Sequence, residues 1–257
     1  MYNFAVNPEI KMCQKTDILC LVHNNLTVTE GFVDAIFQNT DPSKFTLIFI
    51  DNGSTDSVKK YLQDGCDKSR WKLLRSDINL GVIGGRNLAV KHVESDYFLN
   101  IDNDQYPQPG WLDKLHDKMN EGFDIVGQEA WQLCPPSTPG KVIINSREYD
   151  RTYYPIKRCA NVAEKFTYVG CGGMLIKKKV YDAIGLFDER FNPAYFEDPD
   201  LNFRALQNNF KIGWCPESNI KHLAHQTMDN QKTFNKSAQF IKSWINFREK
   251  WFPYFPG

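Results

Sequence analysis

The 257-residue sequence has no apolar run near the ~20 residues that a membrane-spanning helix needs, which argues against such a helix. It also has no net charge. The 31 basic and 31 acidic side chains balance to +0, so no overall field would draw in a nucleic acid. A cysteine framework is missing too. The 7 cysteines are odd in number, scattered, and never in Cys-x-x-Cys spacing, which supports neither a disulfide scaffold nor a zinc site. Cys20 and Cys171 lie in apolar stretches and read as small core side chains. The segment after Met1 has no basic-then-apolar secretory pattern, so the expected location is the cytosol. No linker, repeat or low-complexity tract breaks the chain. A single domain over residues 1–257 with a helical C-terminal extension is expected.

What is present is the composition of a soluble globular protein, 42% hydrophobic and 24% charged, long enough for a sizeable core. Residues 17–22 and 45–50 are short continuous apolar runs, as in strands buried on both faces. Further strands are expected at 71–74 and 97–101, with helices at 28–39, 56–64 and 84–93 between them. Strand alternating with helix predicts a mostly parallel α/β sheet covered on both faces. Beyond about 123 the regularity weakens. Strands are expected at 125–127, 169–176 and 212–214, helices at 177–184, 198–208 and 234–252, and hairpins or loop over 134–168.

Such sheets bind ligands outside the carboxyl ends of their strands. Two of those ends carry acids: Asp51 after the second strand, and Asp102 and Asp104 after the fourth. Paired carboxylates on a chain leaving a sheet can hold a hard divalent cation, with phosphate and water completing its shell. Asp and Asn also dominate ordinary turns, so this feature alone does not decide between the two.

Four segments follow in order: Ile50-Asp51-Asn52-Gly53-Ser54-Thr55-Asp56; Asn79-Leu80-Gly81 running to Arg86-Asn87; Asp102-Asn103-Asp104 with Pro109-Gly110-Trp111-Leu112; and Gly185-Leu186-Phe187-Asp188-Glu189 with Phe196-Glu197-Asp198-Pro199-Asp200 and on to Arg204. Together they resemble glycosyltransferase family 2, inverting enzymes of the GT-A fold that use nucleotide-sugar donors. The resemblance spans about residues 17–227 and leans toward rhamnosyl- and galactofuranosyl-transferring members. It implies a Rossmann-like GT-A domain with a nucleotide-binding half at about 15–104 and an acceptor-binding half at about 105–227.

The resemblance also implies roles. Val22, His23 and Asn24 would lie near the base, and Asp51 on the base or ribose, where a carboxylate can accept from hydroxyls or N–H groups. Asn79, Gly81 and Arg86 fall in the segment beneath the donor, with Arg86 free to pair with diphosphate or with a structural carboxylate. Asp102 and Asn103 would join the donor site. Asp104, with Asp102, would hold Mn2+ or Mg2+, and His222 would add a ligand, with His225 as its rival. Glu197-Asp198 matches the motif beneath the acceptor, with Asp198 as general base. Asp200 and Arg204, four apart on one helix face, should form an ion pair.

The expected reaction moves a sugar from a UDP- or dTDP-type donor to a hydroxyl on a glycan, a lipid-linked glycan or a protein. Two alternatives stand beside it. A nucleotidyltransferase would share the sheet and the aspartates but should carry a Gly-rich, basic loop after the first strand, which His23-Asn24-Asn25-Leu26 lacks. A non-catalytic carbohydrate-binding protein on the same fold is the other. The aromatic face of the last helix (Phe240, Trp244, Phe247 and Trp251) has three uses open to it: packing on the domain, pairing with a second copy, or peripheral contact with the inner face of a membrane.

Overall fold

The apolar runs at 17–22, 45–50 and 97–101 become adjacent strands at the centre of a sheet, and residue alternation sends their side chains to two separate cores. The computed structural model describes residues 14–133, 141–144, 147–150, 156–158, 167–223 and 235–251. The first half alternates as β1 (Thr16–Val22), α1 (Leu26–Asn39), β2 (Phe45–Asn52), α2 (Asp56–Asp67), β3 (Lys72–Ser76), α3 (Gly81–Val90) and β4 (Tyr97–Asp102). Then come β5 (Gln105–Pro107), α4 (Trp111–Asn120), β6 (Ile125–Gly127), β7 (Ala130–Leu133), β8 (Lys141–Ile144), β9 (Arg147–Asp150) and β10 (Ile156–Arg158). The chain continues through β11 (Thr167–Val169), β12 (Met174–Lys177), α5 (Lys178–Ile184), α6 (Glu197–Gln207), β13 (Ile212–Trp214), β14 (Ile220–His222) and α7 (Lys236–Trp251).

The main sheet has the order β13-β6-β12-β4-β1-β2-β3. β1 runs parallel to β2 and β4, β2 parallel to β3, and β6 parallel to β13, while β12 alone is antiparallel to both its neighbours. Ile18, Cys20, Phe49 and Leu99 face one core with Phe32 of α1, Leu62 of α2 and Trp111 of α4. Leu19, Ile48, Ile50 and Phe98 face the other, with Ile83 of α3, Val180 of α5 and Leu201 of α6. This is the expected mixed α/β architecture, a mostly parallel sheet with helices on both faces and a C-terminal helix.

Two of the departures from the sequence reading have a clear local reason. The apolar run 169–176 is not one strand. It divides into β11 and β12, which belong to different sheets. Between them the chain turns through Gly173 at φ +78°, a conformation side-chain-bearing residues rarely adopt, and its N–H donates to the Asn100 carbonyl at 2.8 Å. A side chain on Gly172 would also collide with Gln105. The third helix starts at Gly81, three residues early, because side chains supply its first acceptors. Asn52 Oδ1 accepts from Leu80 N–H and Asn79 Oδ1 from Gly81 N–H, both at 2.8 Å.

The last helix packs on the domain, the first of the three uses open to it. Trp244, Phe247 and Trp251 are buried, and Phe247 lies against Phe191, Phe196 and Phe203. No helix among the described residues is long and apolar enough to cross a membrane.

Candidate functional site

Strand order reverses direction at β1, whose successor β2 lies on one side and β4 on the other. The carboxyl ends of β1, β2 and β4 therefore border the crevice where such sheets bind ligands. Four of the nucleotide-side residues lie at this edge. His23 Nδ1 lies 2.9 Å from the Asn52 carbonyl, and Asn24 turns the chain at φ 59°, a value Asn tolerates better than most residues. Ser54 does not cap α2 but accepts from Asn24 N–H at 2.9 Å, while Thr55 N–H donates to Asn24 Oδ1 at 2.8 Å. The first and second strand ends are thus tied together.

Asp51 is fully buried. Its Oδ1 accepts from Ser54 N–H at 2.9 Å and its Oδ2 is bonded by Arg75. Of this pair Arg75 alone keeps exposed surface, 24% of its side chain. Arg75 escaped the sequence reading because only the β2–β3 register sets it opposite Asp51. Val22 is a correction of another kind: it is a core residue with no exposed surface, so its side chain cannot meet a nucleotide. Asn79 accepts from Asn52 Nδ2 at 3.1 Å as well as from Gly81 N–H. Gly81, at φ +77°, packs so close to Asn192 and Pro193 that a Cβ there would overlap them.

The two aspartates expected to hold a metal part company after β4. The Asp102 side chain, 37% exposed, accepts from Arg86 at 3.0 Å. Asn103, expected at the donor site, is instead buried and donates to Thr29 Oγ1 at 3.0 Å, so its side chain points inward and braces the turn. Asp104 stands 3.5 Å from His222 Nε2. The short β5–β14 ladder creates this meeting by setting His222 opposite Gln105, and Leu223 N–H donates to the Asp104 carbonyl at 2.9 Å. The bond to Asp104 raises the His222 pKa against the opposing effect of burial. His225 falls outside the described residues. Among these residues no group of three or more His, Cys, Asp or Glu forms a ready cage for a metal ion. One carboxylate and one imidazole nonetheless fit a divalent cation such as Mn2+ or Mg2+ that takes its remaining ligands from phosphate and water.

Arg86 joins this corner to the acids that open α6. It is buried, and besides Asp102 it reaches Glu197 at 3.4 Å and Asp198 at 3.9 Å. Of its two expected partners, the structure gives it carboxylates. Burial works against its charge, but Asp102, with help from Cys171, Asp198 and Glu197, outweighs burial and raises its pKa. Glu197 and Asp198 open α6 directly after Phe196, whose φ of 67° turns the chain sharply into the helix. The expected Asp200–Arg204 pair is present at 2.9 Å.

Glu197 is nearly buried, whereas the Asp198 side chain keeps 26% of its surface. Burial first, and then the adjacent Asp198 charge, push the Glu197 pKa up to about 8. Asp198 is also raised by burial, but Arg86 and the neighbouring Cys171 oppose the rise. Near neutrality a proton on Glu197 is therefore favoured. The folded chain keeps a proton that the unfolded chain releases above the ordinary Glu range. Stability should thus fall as pH rises from about 4.5 to about 8. Urea unfolding across that window checks this: Glu197→Gln should remove the decline, and an unchanged slope would contradict it.

Trp131 and Gly170 complete the surroundings of Asp198, and neither stood out in the sequence. The point where a Cβ on Gly170 would sit lies 3.7 Å from Trp131 Nε1 and 3.8 Å from Asp198 Oδ2. Glycine keeps open the gap between an indole N–H and the carboxylate. Cys171 is a core residue as expected, yet its thiol lies beside Asp198, and burial followed by that charge raises its pKa.

Comparison with known proteins gives the arrangement a family. A solved structure of GalNAc-T7 with UDP, GalNAc and Mn2+ superposes with a TM-score of 0.69 at 14% identity, covering 93% of this chain and 48% of that one. Staphylococcus aureus TarS superposes at 0.54 and 18% identity over 77% of this chain and 34% of the other. The uncharacterised glycosyltransferase YwdF of Bacillus subtilis is 23% identical over 84% of this chain and 77% of its own. The Sinorhizobium fredii protein y4gI is 22% identical over 91% of this chain, which spans only 27% of that protein's length. Human polypeptide N-acetylgalactosaminyltransferase 15 is 19% identical over 72% of this chain and 32% of its own. The model of glycosyl transferase family 2 matches residues 17–185, more than half of the sequence. The chain belongs to glycosyl transferase family 2.

Proposed function

We propose that this glycosyltransferase moves a sugar from a UDP- or dTDP-linked donor to a hydroxyl acceptor, with inversion at the anomeric carbon. The observation that carries the reading is the Arg86 bridge, which sets a metal-fit corner and a partly exposed carboxylate in one site: Asp102 at 3.0 Å on one side, Asp198 at 3.9 Å on the other. The GalNAc-T7 structure, solved with UDP, GalNAc and Mn2+, supports the same donor chemistry.

In this reading the nucleoside lies across the ends of β1 and β2, beside His23, Asn24 and the partly exposed Arg75. Asp104 and His222 would hold Mn2+ or Mg2+, which supplies Lewis-acid stabilisation of the departing diphosphate. The acceptor hydroxyl approaches Asp198 through the gap beside Gly170 and Trp131. Asp198 takes the hydroxyl proton as the oxygen attacks the anomeric carbon and the bond to the diphosphate breaks. Glu197, protonated, keeps a second negative charge away from that carboxylate. The acceptor belongs to a glycan, a lipid-linked glycan or a protein.

Water can replace the acceptor, so the reading is testable without knowing it. Incubation with UDP- and dTDP-sugars in Mn2+ should release nucleoside diphosphate from one donor class well above the protein-free rate. Cleavage between the phosphates, with release of a sugar phosphate, would instead favour a nucleotidyltransferase or pyrophosphorylase type of reaction. No release from any of these donors would count against the proposal.

A further inference from the structure

The family match ends at residue 185, yet the carboxylate pair at 197–198 is held from both sides by a helix that begins at 236. On one side stands Phe196, whose ring lies 5.0 Å from Phe240, 5.5 Å from Trp244 and 5.3 Å from Phe247, centroid to centroid. On the other stands Asp200, which has no exposed surface. Its Oδ1 accepts from Trp251 Nε1 at 2.9 Å and from Lys250 Nζ at 2.6 Å, while Oδ2 accepts from Arg204 Nε at 2.9 Å. Asp200 N–H donates to the Phe196 carbonyl at 3.2 Å and closes the turn. Lys250 extends the network to Asp188 at 2.9 Å, and Ser243 Oγ donates to the Ala194 carbonyl at 2.8 Å in the preceding loop.

Packing alone does not call for this arrangement. Apolar burial would dock an aromatic helix without placing a carboxylate in the interface, and a buried carboxylate is unfavourable unless donors surround it. Three donors converge on Asp200, two of them from α7. Such a network fixes orientation more sharply than ring contacts can, because hydrogen bonds are directional and ring contacts are not.

We propose that α7 is a built-in positioning element of the catalytic site, with Lys250 and Trp251 acting through Asp200 to aim Asp198. The proposal rests on the reading of Asp198 as general base. Lys250 and Trp251 touch neither donor nor acceptor in this scheme. Their effect is on the geometry of proton transfer, where a displacement of ~1 Å can cost about 10²-fold in rate.

Donor hydrolysis by Lys250→Met and Trp251→Phe, run on the full chain beside Asp198→Asn, tests this. Each variant keeps most of the apolar bulk and removes the donor to Asp200. The expected result is a kcat reduced roughly 10- to 100-fold with donor KM within about twofold. Lys250→Arg, which retains a cation and donors, should recover most of the loss, and Ile245→Ser on the exposed side of α7 should behave as wild type. A thermal melt that stays cooperative separates misaiming from unfolding, and the two variants give independent chances of a folded protein. If both folded variants keep kcat within twofold while Asp198→Asn is inactive, α7 only packs and the proposal is wrong. An active Asp198→Asn would instead overturn the general-base reading and this inference with it.

Discussion

Asp198→Asn is expected to slow sugar transfer by about 10²–10⁴-fold while leaving donor binding nearly unchanged. The amide keeps the shape of the side chain but cannot take the acceptor proton. Its neighbour should behave differently. Glu197→Gln reproduces the protonated state that burial and the Asp198 charge impose near neutrality, so activity should remain within a few-fold of wild type. The sign of the pH effect follows. Activity requires Asp198 ionised, and burial raises its pKa, so the acid limb of the rate profile should lie above the ordinary Asp range. Because Glu197 is already neutral over this range, Glu197→Gln should leave that limb where it is. Rates measured from acid to neutral pH for the three proteins check both points. An inactive Glu197→Gln beside an active Asp198→Asn would exchange the two roles.

The second large effect concerns the cation. Asp104→Ala should abolish transfer together with metal-dependent binding of the nucleotide, and EDTA should reproduce the loss in the unmodified protein. A Lewis acid on a leaving diphosphate contributes several kcal/mol, which corresponds to a loss of about 10²-fold or more. The fold should survive, because Asp104 sits in a turn after β4 and, among the described residues, its side chain meets His222 at 3.5 Å. Asp102→Asn tests a different bond. Asp102 pairs with Arg86, so its loss should disturb the carboxylate pair across the bridge as well as the metal corner. Full activity in EDTA would remove the cation from the mechanism. Activity retained by Asp104→Ala but lost in EDTA would transfer the cation to other ligands.

The large features were legible because they are written in local pattern. Continuous apolar runs at 17–22 and 45–50 fit strands covered on both faces, and they are the two neighbours β1 and β2. The Asp200–Arg204 pair followed from helical spacing alone. The strand division at 170–173 was not legible. Its cause is the approach of Gln105 and Asn100 from elsewhere in the chain; Gly172-Gly173 permits a close approach but does not name what approaches.

Sequence by itself determined the alternation of strand and helix, the edge at which Asp51, Asp102 and Asp104 emerge, and the family to which their order points. Periodicity and short-range spacing encode these, since each depends on residues within a few positions of one another. Tertiary structure alone decided which atoms meet. It set Arg75 on Asp51 across 24 positions, Arg86 between acids 16 and 111 positions away, and Trp251 on Asp200 across 51. It also turned Asn103 and Val22 inward, away from the ligand edge that their place in the motifs implied. Pairing partners for a buried charge come from whichever elements the cores press together, and that choice is a property of the packed whole.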